Sequence, residues 1–402
     1  MKYLVIVPDG AADRLEEYPE GRTALKQADL PNIDDLARHG EVGSVRTIPE
    51  GIPPGSDAAN LAVMGYDPEK DLTGRSPLEA ISMNIDMTDN DVAFRTNLIT
   101  LSGDGDYEDL TIIDHSAGDI TSEEAAILIN DVDKVLGTEA IKLYPGVSYR
   151  HALIMKDGRT DFELIPPHDI IGKVIRDFLP KGKDPDFITE LMKKSYEILN
   201  DHPVNQKRRE KNLNPANSIW IWGQGRKPKL APFSEKYGLS GTVVSAVDLI
   251  KGIGLCAGLS AANVIGATGT IDTNYEGKTE AAIDAFKDGK DFVYMHIEAP
   301  DECSHQGNRS EKIRALELID ERVVGPMTDY LKNCGDDYRV LIVPDHRTPV
   351  SIRTHSNEPV PFVIFDSRTG TFNENNSFTE ASGETGKYFE KGSSLADYFF
   401  KR

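Results

Sequence analysis

Phe292-Val293-Tyr294-Met295-His296-Ile297 is a near-continuous apolar run, and it leads within a few residues to Asp301 and His305. Such a run reads as a strand buried on both faces, the pattern of a parallel sheet rather than of a half-exposed antiparallel one. Residues 3–7, 340–343 and 360–365 read the same way. Between these runs lie amphipathic helical stretches, among them 33–38, closed by His39-Gly40, and 311–331. Strand and helix alternate, so the expected fold class is α/β with a mostly parallel sheet.

The middle of the chain reads differently. A helix is predicted over 121–136, with Thr121-Ser122-Glu123-Glu124 as its cap. Two strands, 147–155 and 162–165, are expected to turn at Lys156-Asp157-Gly158-Arg159, followed by a helix over 170–179 and a linker from Pro180 to Pro185. This predicts an inserted α+β domain at 116–185 within a discontinuous core of 1–115 and 186–402. The Gly-, Ser- and Asn-rich stretch 370–386 reads as a surface excursion.

The 402 residues suffice for two or three folding units with a large core. Lys and Arg total 45 against 66 Asp and Glu, a formal charge of −21. That surface repels nucleic acid and anionic membranes, so no partner of either kind is expected, and an anionic substrate needs local Arg, Lys or metal to hold it. Cys256, Cys303 and Cys334 are odd in number and widely spaced, which argues against disulfides and thiolate zinc sites and for a reducing compartment. The apolar opening at residues 3–7 breaks at Pro8-Asp9, too early for a signal peptide, and no 18-residue apolar run follows. The expected location is the cytoplasm. The sequence does not set an oligomeric state.

Three of the strand candidates run into acidic or histidine residues. The run 3–7 ends at Asp9, 292–297 leads to Asp301 and His305, and 340–343 ends at Asp345-His346, with His355 nine residues on. In an open parallel sheet the ligand crevice lies beyond the carboxyl ends of the strands, so all six are candidates for one site. Each alone reads equally as a turn, a cap or a surface histidine. Together they match the mixed oxygen and nitrogen ligands of Mn²⁺, Zn²⁺ or a similar ion, and six exceed what one ion takes. Pro53-Pro54-Gly55-Ser56-Asp57 precedes a short Ala-, Leu- and Met-containing helix closed by Gly65. Ser56 at its start is either an N-cap or a nucleophile facing a divalent ion, and spacing leaves both open.

Asp9, Pro54-Gly55-Ser56-Asp57, Gly65-Tyr66-Asp67-Pro68, Gly74-Arg75-Ser76-Pro77-Leu78-Glu79-Ala80, Asp301-x-x-x-His305, Asp345-His346 and His355 together resemble the archaeal-type cofactor-independent phosphoglycerate mutases. That family belongs to the alkaline phosphatase superfamily, and the resemblance runs from Met1 to about Pro361. It implies an alkaline-phosphatase-like core whose inserted domain acts as a lid. It also implies two divalent ions, Mn²⁺ first with Zn²⁺, Co²⁺ or Mg²⁺ as alternatives. Asp9, Ser56, Asp345 and His346 would surround one ion, and Asp301, His305 and His355 the other. Ser56 becomes the nucleophile of a 2,3-bisphosphoglycerate-independent isomerisation of 3-phosphoglycerate and 2-phosphoglycerate through a phosphoserine.

A small phosphorylated acid needs cations, and Arg95, Arg150 and Arg226 are the candidates, with the basic cluster Lys207-Arg208-Arg209-Lys211 as a further one or a solvated helix face. His115 resembles a substrate-phosphate histidine of the mutases. One segment departs from the family: Trp222-Gly223-Gln224-Gly225-Arg226 stands where an Arg-Gly-Ala-Gly-like sequence is usual. This raises an alternative, a phosphotransferase of the same core acting on homoserine. Histidines bind metal only when neutral, so activity is expected to decline below about pH 6.

Overall fold

The computed structural model describes residues 1–401. It divides into two units, Met1–Leu72 with Lys229–Arg402, and Thr73–Pro228. Arg402, the last residue of the expected core, lies outside the described residues.

The first unit is built on an eight-stranded sheet. Its strands lie in the order Ser260–Ala261, Gly241–Val244, Phe292–Ile297, Lys2–Pro8, Tyr338–Ile342, Val360–Asp366, Glu41–Val45 and Lys387–Phe389. Every residue of Phe292–Ile297 and of Tyr338–Ile342 is buried, as a strand with helices on both faces requires. Lys2–Pro8 runs parallel between them, pairing Tyr3 with Phe292 and Lys2 with Tyr338. Val360–Asp366 is antiparallel to both of its neighbours, which corrects the expectation that 360–365 is a parallel strand. An apolar run reports burial on two faces and carries no information on direction.

The expected 311–331 helix is two helices, Arg309–Ile319 and Gly325–Asn333, joined by a π turn at Asp320–Val324. Asp320, 1% exposed, caps another helix, Pro31–Arg38, whose own Leu30 cannot. Its carboxylate accepts from Ile33 N at 2.7 Å and from Asn32 N at 3.2 Å. The C-terminal helix Gly392–Phe400 is sealed onto the sheet by aromatic rings, Phe399 against Tyr3 at 5.7 Å and Phe400 against Phe292 at 5.2 Å. The 370–386 stretch is not wholly a surface excursion: it contains the helix Glu380–Thr385, and the Glu380 carboxylate is buried, accepting from Asp13 N and Thr23 Oγ1.

The second unit is an antiparallel sheet around the eleven-residue strand Val92–Ser102, which pairs with Thr111–Asp114, Arg150–Met155 and Ser218–Arg226. Ile141–Tyr144 adds to the edge of Arg150–Met155. The unit is wider than 116–185 because its central strand and Ser218–Arg226 lie outside those bounds. Phe162–Glu163 does not turn back onto the preceding strand; it pairs with Lys181–Gly182, inside the stretch expected as a linker. The helix expected over 170–179 is instead two 3₁₀ turns, Pro167–Ile170 and Ile175–Phe178, separated at Gly172, whose φ of +77° no α-helix admits. Among the described residues no helix is long and apolar enough to cross a membrane.

Candidate active site

Asp9 follows Lys2–Pro8, Asp345 and His346 follow Tyr338–Ile342, and Asp301 and His305 stand one turn apart on Ala299–His305, the short helix after Phe292–Ile297. Three adjacent parallel strands thus deliver five of the six expected residues, and His355 joins them from the loop beyond. His305 Nε2 lies 3.1 Å from Asp301 Oδ2 and 3.0 Å from His355 Nε2. His355 Nε2 is 3.5 Å from Asp301 Oδ1. His346 Nε2 is 3.4 Å from Asp345 Oδ2 and 3.6 Å from Asp9 Oδ1. The ligand atoms of Asp301, His346 and His355 lie within 4.8 Å of one another, as do those of Asp9, Asp345 and His346. His346 belongs to both groups.

The imidazoles are oriented by their other nitrogens. His305 Nδ1 lies 2.9 Å from Arg353 O and His355 Nδ1 lies 3.4 Å from Pro54 O. A carbonyl only accepts, so each Nδ1 carries a proton, which leaves Nε2 as the nitrogen turned inward toward the carboxylates. Ser56 is the first residue of the helix Ser56–Val63, where Gly55 is the N-cap residue and no side chain caps. The Ser56 hydroxyl lies instead 3.1 Å from His346 Nε2. The N-cap alternative for Ser56 is therefore not what the structure shows.

Three residues join the site that the sequence reading passed over. His296 is 1% exposed, with Nε2 3.1 Å from Asp9 Oδ2. Asn60, fully buried, donates to Asp345 Oδ2 at 2.9 Å and to Ser56 O at 2.8 Å, and accepts from Tyr294 OH at 2.5 Å. Thr348 touches both His346 and Asp301. The available signal was a polar residue inside an apolar element, His296 within its strand and Asn60 within an Ala- and Leu-containing helix.

The electrostatics fit a cation. Burial, then Asp345 and Asp301, push the Asp9 carboxyl well up. Burial opposes ionisation of Asp345 and Asp301 too, but facing imidazoles outweigh it, lowering Asp345 and holding Asp301 well below the usual range. Among the described residues, the ion pairs of these three carboxylates are all with imidazoles. Asp9 Oδ1 is buried without a hydrogen-bond partner, and His296 Nε2, despite its 3.1 Å approach to Asp9 Oδ2, makes no well-directed hydrogen bond. Three buried carboxylates, converging Nε2 atoms and buried polar atoms short of partners form a donor set that divalent ions would satisfy.

The expected substrate-binding residues all lie in the second unit. His115 packs edge-on to Tyr149 at 5.6 Å, and Arg150, exposed, lies over the same ring at 5.6 Å. Arg95 stacks on Trp222 at 4.9 Å and is paired through its guanidinium with Glu79, Nε to Oε2 at 2.9 Å. Arg226 donates to the backbone carbonyls of Asn90 and Gly158. The forks of Arg95 and Arg226 are thus engaged within the fold. Arg208, from the 207–211 cluster, is 3% exposed and pairs with Glu124, so that position is not a solvated helix face.

Comparison with known proteins adds to this geometry. The family model described as 2,3-bisphosphoglycerate-independent phosphoglycerate mutase matches residues 37–205. The protein of that name from Methanothrix thermoacetophila is 50% identical over 388 residues, covering 96% of each chain. A solved structure of a protein from Pyrococcus horikoshii superimposes with a TM-score of 0.82 at 28% identity, covering 99% of this chain and 96% of that one. The solved cofactor-independent phosphoglycerate mutase from Thermoplasma acidophilum superimposes with a TM-score of 0.66 at 25% identity, covering 99% of both.

Proposed function

Because the chain belongs to the 2,3-bisphosphoglycerate-independent phosphoglycerate mutases, we propose that it interconverts 3-phosphoglycerate and 2-phosphoglycerate, with Ser56 carrying the phosphoryl group between the two oxygens. The observation that supports Ser56 is its hydroxyl, turned away from capping its helix and toward His346 Nε2 at 3.1 Å. In the forward half-reaction the bond from Ser56 Oγ to phosphorus forms as the bond from phosphorus to the 3-oxygen breaks. Ser56 loses its proton, and the oxygen freed on glycerate gains one. The second half-reaction repeats the exchange at the 2-oxygen. No 2,3-bisphosphoglycerate enters the balance.

Asp9, Asp345 and His346 with Ser56 would hold one divalent ion, and Asp301, His305 and His355 the other, Mn²⁺ being the first candidate. When bound, such ions lower the pKa of a coordinated hydroxyl and neutralise charge on a transferring phosphoryl group. Asn60 fixes Asp345 and the Ser56 backbone at once, which sets the nucleophile relative to its neighbours. The homoserine alternative finds no support in the relatives named above.

The test is an enolase-coupled assay on Mn²⁺-loaded protein with 3-phosphoglycerate and no 2,3-bisphosphoglycerate. Turnover that disappears with EDTA and returns with Mn²⁺ is the expected result. Absence of turnover from protein shown to hold two metal ions overturns the proposal.

The pH dependence follows from His305. Its hydrogen bond to Asp301 chiefly, against the effect of burial, raises it to about 9 in the metal-free site. A raised pKa means that His305 binds its proton below that pH, so an incoming ion has to displace it. Mn²⁺ affinity should therefore weaken about tenfold for each pH unit below about 9, and binding should release a proton. This places the onset of acid sensitivity above the pH of about 6 expected for an unperturbed histidine. Titration calorimetry in two buffers of different ionisation enthalpy checks it. An affinity unchanged across that range would remove His305 from the ligand set.

A further inference from the structure

We propose that Thr348 is a positioning residue that sets the tautomer of His346, the imidazole common to both candidate ion groups, and so keeps His346 Nε2 unprotonated toward Ser56 and the ions. The inference rests on the metal reading above for its consequence, though not for its geometry.

His346 differs from the other two histidines. His305 and His355 present Nδ1 to backbone carbonyls, which can only accept. His346 Nδ1 faces the Thr348 hydroxyl at 3.1 Å, and a hydroxyl can either donate or accept. Which of the two happens is decided one atom further on. Thr348 Oγ1 is 2.5 Å from Asp301 Oδ1. That separation is typical of a hydroxyl donating to a carboxylate, and an ionised carboxylate has no proton to return. The single hydroxyl proton is thus committed to Asp301, so the Thr348 oxygen offers His346 only a lone pair. Nδ1 then has to be the donor, and in the neutral imidazole Nε2 carries the lone pair that faces Ser56 Oγ, with Asp345 Oδ2 at 3.4 Å and Asp9 Oδ1 at 3.6 Å beside it.

The hydroxyl is held where it can do this. Thr348 is fully buried, its N–H donates to Ala12 O at 3.1 Å, and its carbonyl accepts from Lys312 Nζ at 3.1 Å. Lys312 is itself fully buried and paired with Asp13 at 3.0 Å, which ties the loop after Asp9 to the loop after His346. Gly10 closes the other side: a Cβ there would stand 2.5 Å from Thr348 Oγ1 and 2.6 Å from Asp301 Oδ1, and its φ of +61° already favours glycine. Three polar contacts and a glycine that leaves no room for a side chain therefore surround one short hydrogen-bonded chain from Asp301 through Thr348 and His346 to Ser56.

The experiment measures tautomer and metal affinity separately. Long-range proton–nitrogen spectra of the metal-free, ¹⁵N-histidine-labelled chain, at about pH 8 where an unperturbed imidazole is neutral, report which nitrogen of His346 is protonated. His346→Gln assigns the signal among the nine histidines. The expected wild-type pattern is protonated Nδ1 and bare Nε2. Thr348→Val, which removes only the hydroxyl, should lose that pattern and weaken Mn²⁺ binding about 10- to 100-fold, and Thr348→Ser should restore both. A wild-type spectrum with protonated Nε2 overturns the proposal, and that reading needs no folded variant. So does a Thr348→Val protein that melts lower but keeps wild-type tautomer and affinity, since the role is then merely structural. If the wild type binds no Mn²⁺, the metal reading falls while the spectrum still decides the tautomer.

Discussion

Ser56→Ala is expected to eliminate turnover, by at least about 10⁴-fold, while the protein keeps its fold and its metal affinity. The magnitude is that of removing a covalent nucleophile, where the remaining groups cannot supply the missing bond. Folding is spared because Gly55, not Ser56, occupies the N-cap position and no side-chain cap is lost. Ala is also a better helix former than Ser at the first helical position. Three measurements check this together: the coupled assay, the melting temperature, and intact mass after incubation with substrate. The wild type should trap a phosphate that maps to Ser56, and the variant should trap none. Activity near that of the wild type removes Ser56 from the mechanism.

Asp345→Asn is expected to lower turnover by at least about 10³-fold and to release an ion from the proposed site. The carboxylate is fully buried and accepts three hydrogen bonds: from Gly10 N at 3.2 Å and His346 N at 2.9 Å on Oδ1, and from Asn60 Nδ2 at 2.9 Å on Oδ2. An amide of the same shape has to point its own NH₂ at one of those donors, and in either orientation two donors face each other. The substitution therefore removes a ligand charge and disorders the groups that hold Ser56 and His346. A stability loss of about 1–3 kcal/mol accompanies it, for one buried unsatisfied group. Metal analysis of the purified variant, with the coupled assay, checks the result. Two ions retained with activity within about tenfold of the wild type would remove Asp345 from the ligand set.

The convergence of Asp9, Asp301, His305, Asp345 and His346 was legible because each stands just past a buried strand or on the helix that follows it, and strand ends are visible as the place where an apolar run stops. What lay beyond reach was the partner of each polar group. The charges of Arg95 and Arg226 are plain in the sequence, but that Glu79 and two backbone carbonyls engage them is a tertiary fact. Thr348 carries no signal at all, since a threonine two residues after a histidine is common and only packing brings it to Asp301. On the fold side, residues 170–179 have apolar spacing compatible with a helix, and Gly172 overrides it. The central strand Val92–Ser102 escaped notice because Arg95, Thr96, Asn97 and Thr100 interrupt its apolar character. Those polar residues are mostly buried and bonded in the second unit, so their cost is met by partners the sequence does not display.

The pairing of Tyr3 with Phe292 and Lys2 with Tyr338 has a consequence for how the chain is made. A ribosome delivers the Lys2–Pro8 strand more than 280 residues before either neighbour, Phe292–Ile297 or Tyr338–Ile342, so through that interval this inner strand of the larger sheet lacks both of its partners. Thr73–Pro228 is one uninterrupted stretch and completes all its strand pairings long before then. The smaller unit can therefore fold while the nascent chain is still growing. The larger one has to wait, its apolar Lys2–Pro8 strand exposed to chaperones, until Tyr338–Ile342 has been made.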